Sequence, residues 1–486
     1  MGTIAGDEWT RRLEDEEDEE LVDRISGLPD AVLGDIVTLL PTRDGARTQV
    51  LSSRWRHVWR SAPLNFDSNA DSPRTIRGNV RDSEISRALS AHQGPGRRFR
   101  HEFPYVDTGT RSAAKLDCWL RYPALDNLQE LVFHYGIRFP RGWSSLPPPP
   151  PLPESVRRFS PTLRVASFGG CAFPEVNAAS APLHLPVLKQ LSLTHATISE
   201  KSLLALLAGC PVLQSLLLSY NSGCSRVRIA SRTLTSIGVN PGRGDSRLQH
   251  LILEDAPCLE RLLVFSSGTR KIMDISVISA PKLDILGPLS DDFSRVEFGS
   301  TVFQGSLVSI VTVVPSVKIL ALVNGHPSMD VVIGFLQCFP CLEKLYIKTK
   351  FAGYYENGWR DEYHNLVSTL DIRVKKVVLL NYRGDKSHVN FAKLFVLNAR
   401  VLESMVLELV EGIVPSTEWI ERQHKRLHTK NKASTSAQFD FVGHDVRSGL
   451  FGNVNEAPAH VGYVNEAQAH DLSTADPFVR FRDWPC

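Results

Sequence analysis

The sequence predicts an α/β solenoid of irregular repeats that follows a small all-α domain. Two patterns lead to this prediction. Between residues 128 and 407 a short motif, L-x-x-L-x-L, returns many times, at intervals of about 25 residues where it is clearest. Between residues 28 and 59 apolar side chains recur at helical spacing and are bounded by prolines. A chain of 486 residues, 42% of them hydrophobic, is long enough for about two to four globular domains.

Residues 21–64 are predicted to form two or three short helices. Pro29 lies where a first helical turn tolerates proline, Pro41 ends the first helix and Pro63 follows the last one. The apolar positions of this segment are Leu33, Ile36, Val37 and Leu40, then Val50, Leu51, Trp55, Val58 and Trp59. A fragment of about 40 residues cannot bury that much apolar surface alone. The preceding residues 1–20 end in EDEEDEE, which predicts an acidic, disordered tail.

The repeats are predicted over residues 126–370, after a weakly patterned connecting region at 65–125 that contains one helix near 111–120. The motif begins at residues 128, 163, 188, 213, 234, 248, 259, 317, 342, 374 and 402. Its form and its period are those of leucine-rich repeats. Each copy is a short strand that cannot bury its apolar face alone, so neighbouring copies stack into a solenoid. An ordinary α/β domain with leucine-rich strands is the alternative.

The end of the chain differs from the repeats. Residues 371–412 are predicted to close the solenoid, and residues 413–486 to form a variable tail. That tail contains a tandem duplication, VNEAPAH at 454–460 and VNEAQAH at 464–470, which indicates a segment that tolerates change. The proline run at 146–153 is predicted to be an extended loop within the repeats.

Composition and motifs exclude several classes of function. The chain has 55 Lys and Arg against 53 Asp and Glu, without the basic excess of a dedicated nucleic-acid binder. Cys338 and Cys341 form a C-x-x-C with no second pair, so buried thiols are favoured over a zinc site. No phosphate loop, nucleophile elbow or H-E-x-x-H occurs. We therefore expect no enzyme activity, no cofactor and no metal.

Membrane insertion is not expected either. The apolar stretch at 202–218 is interrupted by Gly209 and Pro211, and the stretch at 307–323 contains Pro315 and Lys318. The N-terminus has no apolar signal region, and eight dispersed cysteines do not form a disulfide framework. We expect a protein of the cytoplasm, the nucleus or both.

The helical segment resembles the F-box of plant F-box proteins, in the style of grass members. The matching positions are Leu28, Pro29, Leu33, Ile36, Leu40, Pro41, Arg47, Thr48, Leu51, Ser52, Arg54, Trp55, Arg56 and Trp59. The stretch at 374–409 resembles the FBD segment that ends many plant F-box proteins with leucine-rich repeats, although it lacks some acidic positions of that pattern.

This resemblance implies that the helical segment docks on the Skp subunit of a Skp–cullin–F-box ubiquitin ligase. The residues it assigns to docking are Leu28, Pro29, Leu33, Ile36, Leu40, Pro41, Val50, Leu51, Ser52, Trp55 and Trp59. We expect some of them, notably Leu40 and Trp55, to pack the interior of the segment, and Leu28 and Pro29 to be the most exposed to the partner.

The function implied is that of a substrate adaptor whose repeats capture an unknown target protein for ubiquitination. Two alternatives stay open from the residues. One is a scaffold that binds Skp without recruiting targets for degradation. The other is nucleic-acid binding through SSRWRHVWR at 52–60, where arginines alternate with aromatic residues.

Overall fold

The computed structural model describes residues 25, 27–68, 81–103, 110–136, 148–176, 181–241, 247–265, 273–290, 295–304, 307–324, 329–349, 370–410, 412–413, 415–443, 472 and 476–478. The predicted acidic tail at 1–20 and the tandem duplication at 454–470 lie outside these residues. The chain divides into two compact units. The N-terminal unit comprises residues 1–101 and 119–128, and the repeat unit comprises residues 102–118 and 129–486.

The described part of the N-terminal unit starts with three helices. In chain order the elements are α1 (Asp30–Leu39), α2 (Thr42–Arg47), a 3-10 turn (Thr48–Val50), α3 (Ser53–Ser61), β1 (Leu64–Asp67), α4 (Asp82–Ala91), β2 (Gly96–Glu102) and a second 3-10 turn (Pro123–Leu125). Strands β1 and β2 pair in parallel, and the rings of Phe66 and Phe99 stack with centroids 5.2 Å apart. The helix expected near 111–120 occurs as α5 (Thr110–Trp119).

In its described residues the repeat unit contains many short strands and four further helices. Its strands are β3 (Glu130–His134), β4 (Val165–Gly169), β5 (Gln190–Thr194), β6 (Ser215–Ser219), β7 (Arg226–Ala230), β8 (Ser236–Asn240), β9 (His250–Asp255), β10 (Arg261–Val264), β11 (Asp274–Val277), β12 (Ile285–Ser290), β13 (Arg295–Phe298), β14 (Thr301–Gln304), β15 (Leu307–Ser309), β16 (Ile319–Asn324), β17 (Lys344–Thr349), β18 (Lys376–Tyr382), β19 (Ser404–Leu409) and β20 (Gln438–Val442). Its helices are α6 (Glu200–Ala208), α7 (Met329–Cys338), α8 (Lys386–Asn398) and α9 (Thr417–Leu427).

The main sheet of this unit runs in the order β3-β4-β5-β6-β8-β10-β12-β16-β17-β18-β19-β20, with every neighbouring pair parallel. The 25-residue spacing is visible in its register, where Val165 pairs with Gln190 and Gln190 with Ser215. Leu191 and Leu193, the second and third leucines of one motif, are fully buried. The alternation of the motif therefore sends its leucines into the core, as in an α/β repeat protein.

The turn after each of these strands repeats as well. Gly170, His195 and Tyr220 lie 25 residues apart and all have positive φ, at 66°, 51° and 53°. The backbone N–H of His195 donates to the carbonyl of Ser219 at 2.8 Å, which extends the parallel ladder into the turn. The rings of His195 and Tyr220 stack with centroids 4.8 Å apart. Equivalent contacts in successive copies explain why this part of the chain keeps a constant period.

Between residues 226 and 309 the architecture departs from the predicted one. The motif at 248 forms β9, which lies in a second sheet of order β15-β14-β13-β11-β9-β7 and not in the main sheet. The segment 283–290, whose motif was not recognised, supplies β12 of the main sheet. The reason is visible in β7, where Val227 and Ile229 are buried and their neighbours are exposed. Alternation of period two builds a strand where other repeats have a helix.

Part of the segment predicted as a variable tail, residues 413–486, is folded. Helix α9 and strand β20 follow the FBD-like stretch, and β20 pairs with β19 through Met405 and Phe439. The Tyr382 hydroxyl donates to Oε1 of Gln423 on α9 at 3.0 Å, and Leu427 is fully buried. The described part of the proline run is extended. It forms a parallel bridge between Pro151 and Ala172, in which the N–H of Leu152 donates to the carbonyl of Ala172 at 2.9 Å.

Candidate functional site

Helix α1 carries two apolar stripes on adjoining faces. It begins after Pro29, whose carbonyl accepts from the N–H of Leu33 at 3.0 Å, and it ends at Leu39, because the backbone becomes extended at Leu40 before Pro41. One stripe contains Leu33 and Val37 and is buried. The other contains Val32, Ile36 and Leu39, spaced i, i+4 and i+7, and is exposed. The helix therefore has more apolar surface than the described residues of its unit cover.

The buried stripe belongs to a small core formed with α3. Its members are Leu33, Val37, Trp55, Val58 and Trp59, with Leu28 and Ala46 packed partly against them. Helix α3 begins at an N-cap, where the Ser52 hydroxyl oxygen accepts from the N–H of Trp55 at 3.3 Å. This cap sets the start of α3 and so points both tryptophans inward.

Polar contacts hold the three helices in place. Arg54 Nε lies 2.7 Å from Asp30 Oδ1, and its Nη2 donates to the carbonyl of Leu28, which ties α3 to the start of α1. Asn65 Nδ2 donates to the carbonyl of Thr38 at 2.9 Å, and Thr42 Oγ1 donates to the carbonyl of Asn65 at 3.0 Å. The end of α1 and the start of α2 are thereby fastened to β1.

An exposed apolar patch remains on these helices. Its members are Val32, Ile36, Leu39, Leu40, Val50 and Leu51, called here the docking patch. Leu39 and Val50 are each 85% exposed and Leu51 is 64% exposed. Single exposed leucines are ordinary on protein surfaces, but six exposed aliphatic residues within twenty positions of one small helical segment are typical of an interaction site. The patch is suited to burial against an apolar surface of another polypeptide.

The residues assigned to docking from sequence fall into three groups. Pro29, Ile36, Leu40, Pro41, Val50, Leu51 and Ser52 are exposed, Leu28 is half-buried, and Leu33, Trp55 and Trp59 lie in the small core. The last three hold the helices together and offer no free surface in this structure. Leu40 was expected in the interior and is exposed instead. Leu28 and Pro29 were expected to be most exposed to the partner; Pro29 is exposed, and Leu28 is packed partly against the core.

Two members of the docking patch were missed by the sequence analysis. Val32 and Leu39 were not assigned to docking, although they lie on the same face as Ile36. Their spacing of i, i+4 and i+7 is a signal that could have found them. The stripe of Leu33 and Val37 follows the same period, so spacing alone does not say which stripe is covered.

The structure does not support nucleic-acid binding by the segment 52–60. Trp55 and Trp59 are 8% and 7% exposed and lie in the core, where they cannot stack on bases. Arg54 is engaged with Asp30. The aromatic residues that suggested nucleic-acid binding are therefore committed to the core of the N-terminal unit.

The buried thiols of the repeat unit have no feature of a nucleophile or a metal ligand. Burial raises the pKa of Cys171, Cys210 and Cys338 to about 12, so each remains a neutral thiol. Among the described residues, no three His, Cys, Asp or Glu side chains are grouped so as to hold a metal ion. None of the helices in the described ranges combines the length and the apolar character needed to cross a membrane.

One face of the main sheet is a second candidate surface. It is formed by the residues that alternate with the inward leucines, and from β6 to β18 it contains a cluster of apolar side chains. Its buried members from the strands, together with Phe265 just after β10, are Leu217, Leu263, Phe265, Ile285, Ile319, Ala321, Val323, Tyr346 and Leu380. A broad face built from successive repeats is the surface on which repeat proteins bind partners.

Comparison with known proteins gives a consistent result. Residues 116–347 match the family described as FBD-associated F-box protein At5g56370, LRR repeats, and residues 365–407 match the FBD family. F-box/LRR-repeat protein 25 of Arabidopsis thaliana is 32% identical over 200 residues, which cover 41% of this chain and 68% of that protein. The putative F-box/FBD/LRR-repeat protein At5g44950 of the same plant is 23% identical over 450 residues, covering 85% and 98%.

Coverage varies among the relatives. The putative F-box/LRR-repeat protein At5g02930 of Arabidopsis thaliana is 29% identical over 211 residues, which cover 41% of this chain and 38% of that protein. The chain thus matches about two thirds of one of these relatives and well under half of another.

Proposed function

Because the chain belongs to the plant family of F-box proteins with leucine-rich repeats and an FBD segment, we propose that it is a substrate adaptor of a Skp–cullin–F-box ubiquitin ligase. In this proposal the N-terminal helices dock on a Skp-type subunit, and through it on a cullin. The repeats capture a target protein, which raises its local concentration beside the ubiquitin donor. The chain itself makes and breaks no bond.

The docking patch is the observation that carries this proposal. Val32, Ile36 and Leu39 lie on α1, whereas Leu40, Val50 and Leu51 lie on the connections that follow it, and none of the six belongs to the small core. Exposing such residues to water is costly unless a partner covers them. Contacts of amphipathic helices with an apolar groove fit this arrangement, and stable examples bury roughly 1,200–2,000 Å² in total.

Docking is tested with a double variant in the patch. Leu39→Asp with Val50→Asp should weaken binding of a purified Skp-type subunit by about thirtyfold or more, because it places two charges at the centre of an apolar interface. Both residues are 85% exposed, so the fold should be unchanged. Isothermal titration calorimetry measures the affinity, and circular dichroism checks the helices.

The matched control is Ile278→Asp, which charges another exposed apolar residue, 61% exposed, on the repeat unit. This variant should bind the Skp-type subunit as the wild type does. If the wild type does not associate with the Skp-type subunit at about 10 μM, the docking proposal is refuted.

A further inference from the structure

Two residues near the end of the sequence are buried against the apolar face of the main sheet. Leu472 and Phe478 are 0% and 1% exposed and belong to one cluster with the face residues of β6 to β18. The last strand of the sheet ends at Val442, and 29 positions, 443–471, separate it from Leu472. The face that repeats use for partners is therefore occupied by the chain's own C-terminal segment.

The sheet is shaped to receive Leu472. Gly238 occupies the face position of β8, between Leu217 of β6 and Leu263 of β10 in the strand register. A Cβ atom at Gly238 would lie 2.7 Å from Cδ2 of Leu472 and 3.1 Å from Cε2 of Phe265. The absent side chain creates the space that Leu472 fills.

A charged contact fixes the other end of the segment. The Asp476 carboxylate accepts from Lys344 Nζ at 2.8 Å and from the Tyr346 hydroxyl at 3.0 Å, both on β17. The Asp476 side chain is only 13% exposed. The N–H of Phe478 donates to the other oxygen of Asp476 at 3.3 Å, and its ring lies 5.8 Å from the ring of Tyr346.

These contacts have the form of a peptide bound in a groove. A leucine fills a socket, an acidic residue four positions later meets a lysine and a tyrosine, and an aromatic residue two positions further packs on that tyrosine. Short peptides are recognised through a small number of buried side chains and through charged groups whose hydrogen bonds are satisfied. Leu472, Phe478 and the carboxylate of Asp476 form such a set. Because the segment is attached to the same chain, it competes at high local concentration with any external ligand.

We propose that this face is a binding groove for target peptides that carry Leu, Asp and Phe at the spacing of Leu472, Asp476 and Phe478, and that the C-terminal segment occupies the groove until such a peptide displaces it. The inference rests on the proposed adaptor function, since it names the class of target and the way in which access is controlled. The groove is defined by Leu217, Gly238, Phe265, Lys344 and Tyr346.

The test uses a fluorescent peptide with the sequence of residues 470–481, HDLSTADPFVRF, and full-length variants. Leu472→Ala, Asp476→Ala and Phe478→Ala together make a release variant in which the anchors are removed. Fluorescence anisotropy should show that the peptide binds the release variant about tenfold or more tightly than the wild type, whose groove is occupied. A peptide with Asp476→Ala and Phe478→Ala should bind neither protein.

Two groove variants identify the site of binding. Lys344→Ala in the release variant should weaken peptide binding by about tenfold, because it removes the charged partner of the peptide's aspartate. Gly238→Val in the release variant should abolish binding, because its side chain fills the leucine socket. Binding that neither change affects would refute the proposed groove.

A fixed structural role for the segment predicts different results. If the segment is a permanent layer of the core, the release variant melts at a much lower temperature and binds no peptide, which overturns the proposal. The single variant Asp476→Ala removes only the charged contact and preserves folding. It should bind the peptide more tightly than the wild type, and equal binding would also overturn the proposal.

The outcome is separable from that of the docking proposal. The peptide assay contains no Skp-type subunit, and the release variant leaves the docking patch intact. A release variant that binds Skp but not peptide refutes only the groove, whereas peptide binding without Skp association refutes only the adaptor role.

Discussion

At the scale of single residues, His92 links the stability of the N-terminal unit to pH. Its Nε2 lies 2.8 Å from the carbonyl oxygen of Ala62, which can only accept, so Nε2 carries the proton. Nδ1 is buried and has no hydrogen-bond partner among the described residues. Burial lowers the pKa of His92 below its usual 6.5, which outweighs the opposing effect of the Ala62 carbonyl.

The sign of the resulting pH dependence follows from these contacts. As pH falls below 6.5 the unfolded chain takes up a proton at His92 before the folded unit does. The free energy of unfolding therefore decreases as pH falls through 6.5 and is fully retained above it. The loss from this group at pH 5.5 is at most about 1.4 kcal/mol, which corresponds to one pH unit.

The variant His92→Gln tests this contribution. Its amide N–H can still donate to the Ala62 carbonyl, but the side chain does not titrate. Urea unfolding followed by tryptophan fluorescence at pH 7.5 and pH 5.5 should show a smaller loss of stability for the variant than for the wild type. Equal losses in the two proteins would contradict the role of His92.

At the scale of the element, helix α3 depends on its cap. Ser52 was assigned to docking from sequence, and in the structure its hydroxyl oxygen accepts from the N–H of Trp55 at the first turn. Without this acceptor the N–H groups of that turn lose a partner, and the orientation of Trp55 and Trp59 in the small core is less well determined. Ser52 thus supports the docking patch from within the fold.

The substitution Ser52→Ala should lower the free energy of unfolding of the N-terminal unit by about 1 kcal/mol. Ser52→Asp keeps an acceptor at the N-cap and also places a negative charge at the helix N-terminus, so it should restore most of the loss. Urea titration of both variants measures the difference. An aspartate variant as unstable as the alanine variant would argue against capping.

At the scale of the whole chain, the segment following the FBD match is part of the repeat unit. Helix α9 packs Leu427 into the core, and its Gln423 is held by Tyr382 of β18. The side chain of Gln423 also lies close to Gly384. A Cβ atom at Gly384 would be only 2.7 Å from Nε2 of Gln423. Gly384 has φ of 70°, so both its conformation and its surroundings favour glycine.

The substitution Leu427→Ala should reduce the stability of the repeat unit by about 2–5 kcal/mol, because Leu427 is fully buried and its removal leaves a cavity that the surrounding structure fills only in part. Val401→Ala, at a residue that is 45% exposed, should change stability little. Differential scanning calorimetry of the two variants compares them. Similar melting temperatures for both would contradict the proposed contribution of Leu427 to the core.

The elements of the N-terminal unit were predictable to different degrees. The helices between Pro29 and Pro63 follow from apolar periodicity and proline positions, both of which are local properties. Strands β1 and β2 were not predicted, because four to seven residues such as LNFD carry too little periodicity. Their burial depends on the pairing of Phe66 with Phe99, which lie far apart in the sequence.

The repeat unit shows the same division. The leucines of motifs such as the one at 188 predicted strands with one buried face. Alternate side chains of a strand point to opposite faces of the sheet, so the leucines all lie on the same face. The motif at 248 satisfied the same pattern, yet β9 joined the second sheet through its register with β7 and β11. Which of the two sheets a strand joins depends on the strands that lie beside it in the fold. A short sequence motif does not contain this information.

By itself the sequence determined that this chain is an α/β repeat protein with an excess of apolar helical surface at its N-terminus, since both properties follow from the periodicity of side chains along the backbone. Only the tertiary structure decided that Leu33 is covered while Leu39 is bare, and that Leu472 and Phe478 occupy the face of the sheet. Burial is a relation between segments distant in sequence, so it depends on which surfaces meet after the chain has folded.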